Sequence, residues 1–456
     1  MTIRFYNSLT NKKEDFVPIR SGEVGMYVCG MTVYDNCHLG HARAMMAFDI
    51  LVRYLRNQGY KVNFVRNITD VDDNIIERAL QKKESIDDLT RRTISSMHKD
   101  FLKLGLEIPD IEPRATEHIE GMIKMIEELI EKGHAYHSNG GDVFFEVRTF
   151  PEYGKLSNKN IDDLNPGSRI AEDASKKDPL DFVLWKSAKE GEPFWDSPWG
   201  AGRPGWHIEC SVMSFENLGQ HFDIHGGGPD LLFPHHENEI AQSECALGNK
   251  FANYWMHSGL LKIDGEKMSK SLGNFAMLKD LFDSYHPEVL RYYLISSHYR
   301  SSLNFDNDSL DQARSALTRL YQAVSSIKID SAYVNQDAVD NFHVAMHDDL
   351  NTPEALSILF KLTKQINSSS DSEEQMKYAA TLKELSGILG LLQDDPKTFF
   401  QFGAILSDKE IEHQIQLRNE ARDSKDFKTA DKIRDALEAQ GILLDDGSQG
   451  TTWKKS

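Results

Sequence analysis

The sequence predicts an α/β chain: a doubly wound parallel-sheet domain carrying an insertion, followed by a helical bundle and a small C-terminal domain. Three observations carry this expectation. Near the N-terminus an apolar run, a helix-periodic stretch and a second apolar run follow one another, the strand–helix–strand crossover that builds parallel sheets. From about residue 305 to 395 apolar residues recur at helical spacing, as in Ala355, Leu356, Leu359, Phe360 and Leu362. A chain of 456 residues also exceeds what one hydrophobic core organises, so two to four domains are expected.

The first strand is expected at residues 26–29 (Met-Tyr-Val-Cys), ended by Gly30. After a loop, residues 41–57 place Met45, Phe48, Leu51, Val52 and Leu55 at helical spacing, with Gly59 as a stop. Residues 61–66 form the next strand, with Val62, Phe64 and Val65 facing a core. Residues 114–132 read as a helix closed by Gly133, and residues 134–147 as a hairpin around Asn139-Gly140-Gly141. The polar stretch 156–177 reads as loop, and all three lie in an insertion of about 114–200. Pro234 suits the first position of a helix that runs to Leu247 and stops at Gly248. Residues 260–263 then read as a strand entering a tight turn at Asp264-Gly265.

Composition excludes several function classes. With 40% hydrophobic and 27% charged residues the chain is ordinary for a soluble protein. It has no run of about 18 apolar residues, so no membrane span is expected. Met1-Thr2-Ile3-Arg4-Phe5-Tyr6 lacks an apolar core followed by a small-residue cleavage site, so a cytoplasmic location is expected. Four cysteines do not make a disulfide scaffold in a chain this long; they read as metal ligands, catalytic groups or core. The net charge of −19 runs against the basic footprint of a nucleic-acid binder. Residues 412–456 carry eight Lys or Arg against nine Asp or Glu, so RNA binding there needs a local basic face.

Three constellations carry chemistry. His38-Leu39-Gly40-His41 falls at a helix N-terminus, where free N–H groups and the helix dipole favour anions. Gly40 permits close backbone approach, and two imidazoles can donate to phosphate oxygens as charge builds; the bland alternative is a capping His beside a surface His. Lys267-Met268-Ser269-Lys270-Ser271 places two ammonium groups on a loop, suited to neutralising a leaving pyrophosphate, against the alternative of a solvated basic loop. Finally, Cys29, Cys210, His235 and Glu239 can supply two thiolates, one imidazole and one carboxylate to zinc, His235 and Glu239 standing four apart on one helix face. His236 can replace His235 and Glu237 can replace Glu239 in that set, while Cys37 and Cys245 read as buried free thiols.

Taken together these stretches resemble the class I aminoacyl-tRNA synthetases, and among them the cysteine-specific family. The resemblance spans nearly the whole chain. It includes Tyr27-Val28-Cys29-Gly30, Asn67-Ile68-Thr69-Asp70-Val71-Asp72-Asp73, Gly205-Trp206-His207-Ile208-Glu209-Cys210-Ser211 and His225-Gly226-Gly227-Gly228. It continues through Phe233-Pro234-His235-His236-Glu237-Asn238-Glu239, the lysine loop, Ala430-Asp431-Lys432-Ile433-Arg434 and Gly450-Thr451-Thr452-Trp453, with Leu39 where Ile is frequent. The resemblance implies a Rossmann-like catalytic domain over 1–265, a lysine-loop and stem-contact region over 266–304, a helical bundle over 305–395 and an anticodon-binding domain over 400–456; within the last, Trp453 either closes a local core or, the preferred reading, stacks on a base. It further implies one Zn2+ per chain held by Cys29, Cys210, His235 and Glu239, and Mg2+ accompanying ATP.

His38, His41, Lys267 and Lys270 are then the catalytic residues, with Gly40 also at the ATP and Lys270 the main ATP contact, while Thr69, Trp206 and Asp230 line the substrate pocket. The implied partners are L-cysteine, ATP and tRNA(Cys), for a monomer with no membrane association. Zinc binds thiolate far better than a neutral alcohol, so no editing domain is needed to reject serine. The nearest rival is a cysteine ligase acting on an amino sugar, whose members lack the C-terminal RNA-reading domain. A silent RNA-binding paralogue and a generic nucleotidyltransferase are disfavoured by the intact pair of motifs.

Overall fold

Four parallel strands lie side by side in the order Ala252–His257, Phe222–Gly227, Glu23–Val28 and Lys61–Arg66. After a hairpin of Arg4–Asn7 with Lys12–Asp15, the chain enters this sheet at Glu23–Val28, crosses through the helix Leu39–Asn57 to Lys61–Arg66, and later returns to the other side of Glu23–Val28. The strand order therefore reverses between Glu23–Val28 and Phe222–Gly227, and a ligand crevice opens beyond the carboxyl ends at such a switch point. Cys29, Thr69, Gly227 and His257 all sit at or just past those ends.

The computed structural model describes residues 2–163, 175–267, 275–329, 334–404, 406–447 and 450–455. They fall into two compact units. The first comprises Met1–Phe275, Ser297–Asn304 and His343–Ala355; the second comprises Ala276–Ser296, Phe305–Phe342 and Leu356–Ser456.

In the first unit the opening strand spans Glu23–Val28 rather than residues 26–29. Cys29 lies one residue beyond it, yet its N–H donates to the Gly226 carbonyl at 3.0 Å, so the thiol stays fixed to the sheet. Gly30 turns the chain against the neighbouring strand end: its N–H meets Asn67 Oδ1 at 2.8 Å. A Cβ there would stand 1.7 Å from the Asn67 carbonyl oxygen, so no side chain fits. The helix starts at Leu39, two residues before the apolar periodicity, because His38 caps it. Its buried face includes Met45, Phe48, Leu51, Val52 and Leu55. Phe48 occupies the space over Gly226, where an added Cβ would lie 2.2 Å from the ring.

The insertion forms an antiparallel sheet of Ala135–His137, Val143–Phe145, Phe182–Ser187 and Gly202–Pro204, so the hairpin expected around Asn139-Gly140-Gly141 is present. The helix expected from residue 114 begins only at Ile119. Ile68 N–H bonds the Pro113 carbonyl and Ala115 N–H bonds the Ile68 carbonyl, which holds 113–115 along the sheet and leaves a short 3-10 turn, Ala115–Glu117, before the helix. Part of the loop expected at 156–177 lies outside the described residues.

In the second unit a helix, Pro287–Ile295, precedes helices expected from residue 305 on, and these are present, among them Asn307–Ser325 and Ser372–Ile388. Buried Glu288 accepts from Tyr321 Oη and from the Leu392 and Gln393 N–H groups, pinning the chain that leaves the last of these helices. The C-terminal segment folds as Asp408–Asp423, Phe427–Glu438 and the hairpin of Ile442–Gly447 with Gly450–Lys455. Trp453 corrects an expectation here. It is buried against Ile411, Ile415, Leu437 and Ile442, closing a core too small to do without a large ring, and so its indole is not presented for base stacking. No helix among the described residues is long and apolar enough to cross a membrane.

Replacing Gly226 by Ala forces Phe48 off its seat, and the expected cost is about 1–3 kcal/mol. Thermal or urea unfolding checks this, and adding Phe48→Leu should recover part of the loss.

Candidate metal centre and active site

Four side chains converge past the switch point from three separate elements. Cys29 follows the first strand, Cys210 projects from the helix Trp206–Leu218, and Glu239 projects from the helix Glu237–Leu247. His235 precedes that last helix, in a wider turn spanning Leu232–His236. Phe233 is extended and breaks the path just before Pro234, so helical backbone resumes at Pro234, the helix start expected from sequence, tightens into regular turns at Glu237 and stops at Gly248. The spacing of four still places His235 Nε2 3.0 Å from Glu239 Oε1. All four residues are at most 3% exposed.

Their donor atoms fit a tetrahedral zinc ion. With bonds of about 2.3 Å to sulfur and 2.0–2.1 Å to nitrogen or oxygen, tetrahedral geometry asks for about 3.8 Å between sulfurs and about 3.5 Å between sulfur and oxygen or nitrogen. The structure has Cys29 Sγ 3.6 Å from Cys210 Sγ, 3.4 Å from Glu239 Oε1 and 3.7 Å from His235 Nε2. In a second grouping, Cys29, His225, His236 and Glu239, the donor atoms also lie within 4.8 Å of one another. It offers one thiol instead of two; His225 Nε2 meets Glu239 Oε2 at 2.8 Å, and His236 Nδ1 meets His257 Nε2 at 2.8 Å. Those contacts suit outer partners that orient ligands. Glu237, the other carboxylate considered from sequence, is taken up by Ser157 and the Leu156 N–H.

Charge follows from this packing. Burial alone would raise the Glu239 carboxyl, but the fields and hydrogen bonds of His225 and His235 hold it well below its ordinary range. Burial would lower His235, yet Glu239 and Cys210 raise it to about 10. As imidazolium it donates from Nδ1 to His207 Nδ1 at 2.8 Å, which leaves Nε2 facing the donor set. Burial drives the Cys29 thiol well up, reinforced by its neighbour Cys210. Against the same burial, Cys210 is brought down to about 6 by the hydrogen bond from Cys29 and by His235. The metal-free centre thus holds one thiolate, one thiol, one imidazolium and one carboxylate. The Tyr27 hydroxyl is buried beside the two cysteines, and that burial and the neighbouring Cys210 push it well above its ordinary range.

His38 and His41 form a stacked pair with ring centroids 3.5 Å apart. Each imidazole accepts a helix N–H at Nδ1: His41 N–H to His38 at 3.3 Å and His38 N–H to His41 at 3.4 Å. Burial lowers His38 to about 4 and, with the neighbouring His38, pushes His41 well below its usual range. Both rings are therefore neutral at pH 7 with the proton on Nε2, which leaves two N–H donors beside the helix N-terminus.

The remaining expected residues are placed as follows. Thr69 is buried and its Oγ1 donates to Glu209 Oε2 at 3.1 Å, adjacent in sequence to Cys210. Trp206 lies over the His235 ring with centroids 4.3 Å apart and is 40% exposed, so it is not core. Asp230 is exposed, and its field acts on His38. Gly40 sits in the first turn of the helix after the His38 cap. Lys267 ends a short strand paired with Leu261–Ile263, its side chain undescribed, and Lys270 lies outside the described residues. Sequence reasoning missed His207, His225, His257 and Tyr27 as neighbours of the donor set. His225 stood in a motif already singled out and, like Tyr27, belongs to a strand that ends at the switch point.

Residues 15–315 match the tRNA synthetases class I (C) catalytic domain, and residues 341–393 match the DALR domain. The chain is 56% identical over 456 residues to a cysteine–tRNA ligase of Legionella pneumophila (strain Paris), covering 99% of each. It is 54% identical over 457 residues to the cysteine–tRNA ligase of Shewanella sediminis, covering 99% of this chain and 100% of that one. Among solved structures it shares its fold with Mycobacterium tuberculosis methionyl-tRNA synthetase in complex with methionyl-adenylate, at TM-score 0.56 and 14% identity over 80% of this chain and 89% of that one. The Agrobacterium radiobacter LeuRS–tRNA–LeuAMS complex gives TM-score 0.58 at 12% identity over 84% and 87%.

Metal uptake by this donor set must displace the protons it holds. Loading zinc into metal-free protein at pH 7.5 should release about two protons per chain, one from the Cys29 thiol and one from His235, with Cys210 already ionised. Calorimetry in buffers of different ionisation enthalpy counts them, and release near zero contradicts the assignment.

Proposed function

This chain belongs to the cysteine–tRNA ligase family of class I tRNA synthetases, and on that premise we propose the following division of labour among its residues. The observation that carries the proposal is the buried set of two thiols, one imidazole and one carboxylate at the switch point. Cys29, Cys210, His235 and Glu239 hold one Zn2+, and His207 and His225 orient two of those ligands. When bound, the ion supplies a ligand position that prefers the thiolate of L-cysteine over the hydroxyl of serine.

The substrate carboxylate oxygen attacks the α-phosphorus of Mg-ATP; the bond from that phosphorus to the bridging oxygen breaks, leaving cysteinyl-adenylate and pyrophosphate. His38 and His41 act through their Nε2–H groups, which donate to phosphate oxygens without carrying charge of their own. The helix N–H groups and Gly40 let phosphate approach closely, and Lys267 and Lys270 supply cationic charge as pyrophosphate leaves. Thr69, Trp206 and Asp230 line the amino-acid pocket: Trp206 covers His235, and Thr69 orders the Glu209 carboxyl beside Cys210. The 2′-hydroxyl of the terminal adenosine of tRNA(Cys) then attacks the carbonyl carbon of the adenylate, losing its proton as the bond from that carbon to the phosphate oxygen breaks and AMP leaves. The segment from about 400 reads the anticodon, and the enzyme works as a cytoplasmic monomer.

Amino-acid-dependent ATP–pyrophosphate exchange tests this. Zinc-loaded protein should exchange strongly with cysteine and almost not at all with serine, and Cys210→Ser should abolish the cysteine reaction; exchange with neither amino acid overturns the reading.

The neutral imidazoles make a second prediction. Because His38 gains a proton only near pH 4, kcat for exchange should be flat between about pH 6 and 8, while His38→Ala lowers it by about 100-fold. An inflection near 6.5 that vanishes in that variant would show a charged imidazole at work instead.

A further inference from the structure

We propose that Arg43 is a positioning residue for the ATP step: its guanidinium locks the turn of residues 297–301, which anchors the lysine-bearing hairpin, to the helix that carries His38, Gly40 and His41. This rests on the reading of those two motifs as the ATP site. Arg43 follows His41 by two residues on one helix, so the two side chains point about 200° apart and cannot serve the same phosphate. Its side chain is buried, 2% exposed, and its donors go to backbone carbonyls: Nη2 reaches His298 O at 2.6 Å and Ser301 O at 3.1 Å, and Nη1 reaches Ser297 O at 3.4 Å.

That turn is fastened in turn to the hairpin. Gly259 N–H donates to the Tyr299 carbonyl at 2.6 Å and Leu303 N–H to the Leu260 carbonyl at 2.9 Å. The two backbones run so close that a Cβ on Gly259 would stand 2.1 Å from the Ser301 oxygen. Beyond them, Leu303–Phe305 lies next to Leu261–Ile263, which pairs with Glu266–Lys267, and Gly265 N–H donates to Asn304 Oδ1 at 2.7 Å.

The same turn has a second fixed partner. Asp349, fully buried, accepts from Tyr299 Oη at 2.8 Å, from Arg300 Nε at 2.8 Å and from Tyr6 N–H at 2.9 Å. Asp349 and Leu350 both adopt left-handed backbone, φ 63° and 53°, a costly pair for residues with side chains. A turn gripped by a buried cation and a buried anion, at the expense of local strain, is a rigid reference point. Arg43 makes it the reference that sets the strands leading up to Lys267 against the helix of the histidine pair. A planar group with five N–H donors can hold three carbonyls at once, which a lysine ammonium on its flexible stem does less well.

The test uses the zinc-loaded full chain in ATP–pyrophosphate exchange, comparing Arg43→Met, Arg43→Lys, Lys270→Ala and the double variant Arg43→Met with Lys270→Ala. Misplacing a catalytic group by about 1 Å costs about 100-fold in rate. Arg43→Met should therefore lower kcat by about that factor, with KM for cysteine and bound zinc unchanged, and Arg43→Lys should recover part of it. If Arg43 acts through the lysine loop, the double variant should be no more than about threefold slower than Lys270→Ala alone. Losses that multiply, or a fall in zinc content and cysteine binding that parallels kcat, overturn the proposal while the ATP-site reading stands. Wild-type exchange by Lys270→Ala overturns that reading and the proposal with it.

Discussion

A fully buried carboxylate is the constraint around which the catalytic unit is arranged. Glu239 has no access to water, so an ionised oxygen pair there must be met on every side by donors or by a cation. His225 meets one oxygen, His235 the other, and Cys29 and Cys210 complete the surround. Each of these groups is poor company for an apolar core when alone. Together they form a cluster whose charges compensate, and whose donor atoms are spaced for a small soft-to-borderline cation.

The sheet topology is what makes such a cluster attainable. Residues 29, 210, 225 and 235–239 are far apart in the chain, but all follow or flank strands whose carboxyl ends meet at the switch point. The helix holding the histidine pair leaves from the same edge, only nine residues after Cys29. One end of one sheet thus holds both the thiol-lined centre and the paired imidazoles, while the turn held by Arg43 and Asp349 reaches the same helix from the strands that lead to Lys267.

Much of this was legible in the sequence, and the exceptions have physical causes. Residues 61–66 and the helix through Phe48 and Leu55 were readable because each buries a face of regular period. The start of that helix was not, since a histidine cap replaces the usual Ser, Thr, Asp or Asn signal. Pro234 was readable because proline suits a helix start: extended Phe233 stands just before it, and helical backbone runs from Pro234 into the helix that ends at Leu247. Trp453 misled because nothing in a tail of near-balanced charge tells a ring that closes a small core from one that waits for a base. The outer histidines around the donor set were invisible for a different reason. A lone histidine in an apolar strand is equally consistent with packing, and only the fold brings His225 to Glu239 and His207 to His235.

Selection of the substrate by its sulfur is the central claim, and zinc K-edge X-ray absorption on the loaded protein addresses it directly. Without substrate the first shell should contain two sulfurs, from Cys29 and Cys210, with one nitrogen and one oxygen. Adding L-cysteine should bring the sulfur count to three, while L-serine leaves it at two. An unchanged shell with saturating cysteine would contradict the account, and would mean that the amino acid is chosen by the walls of the pocket rather than by the metal within it.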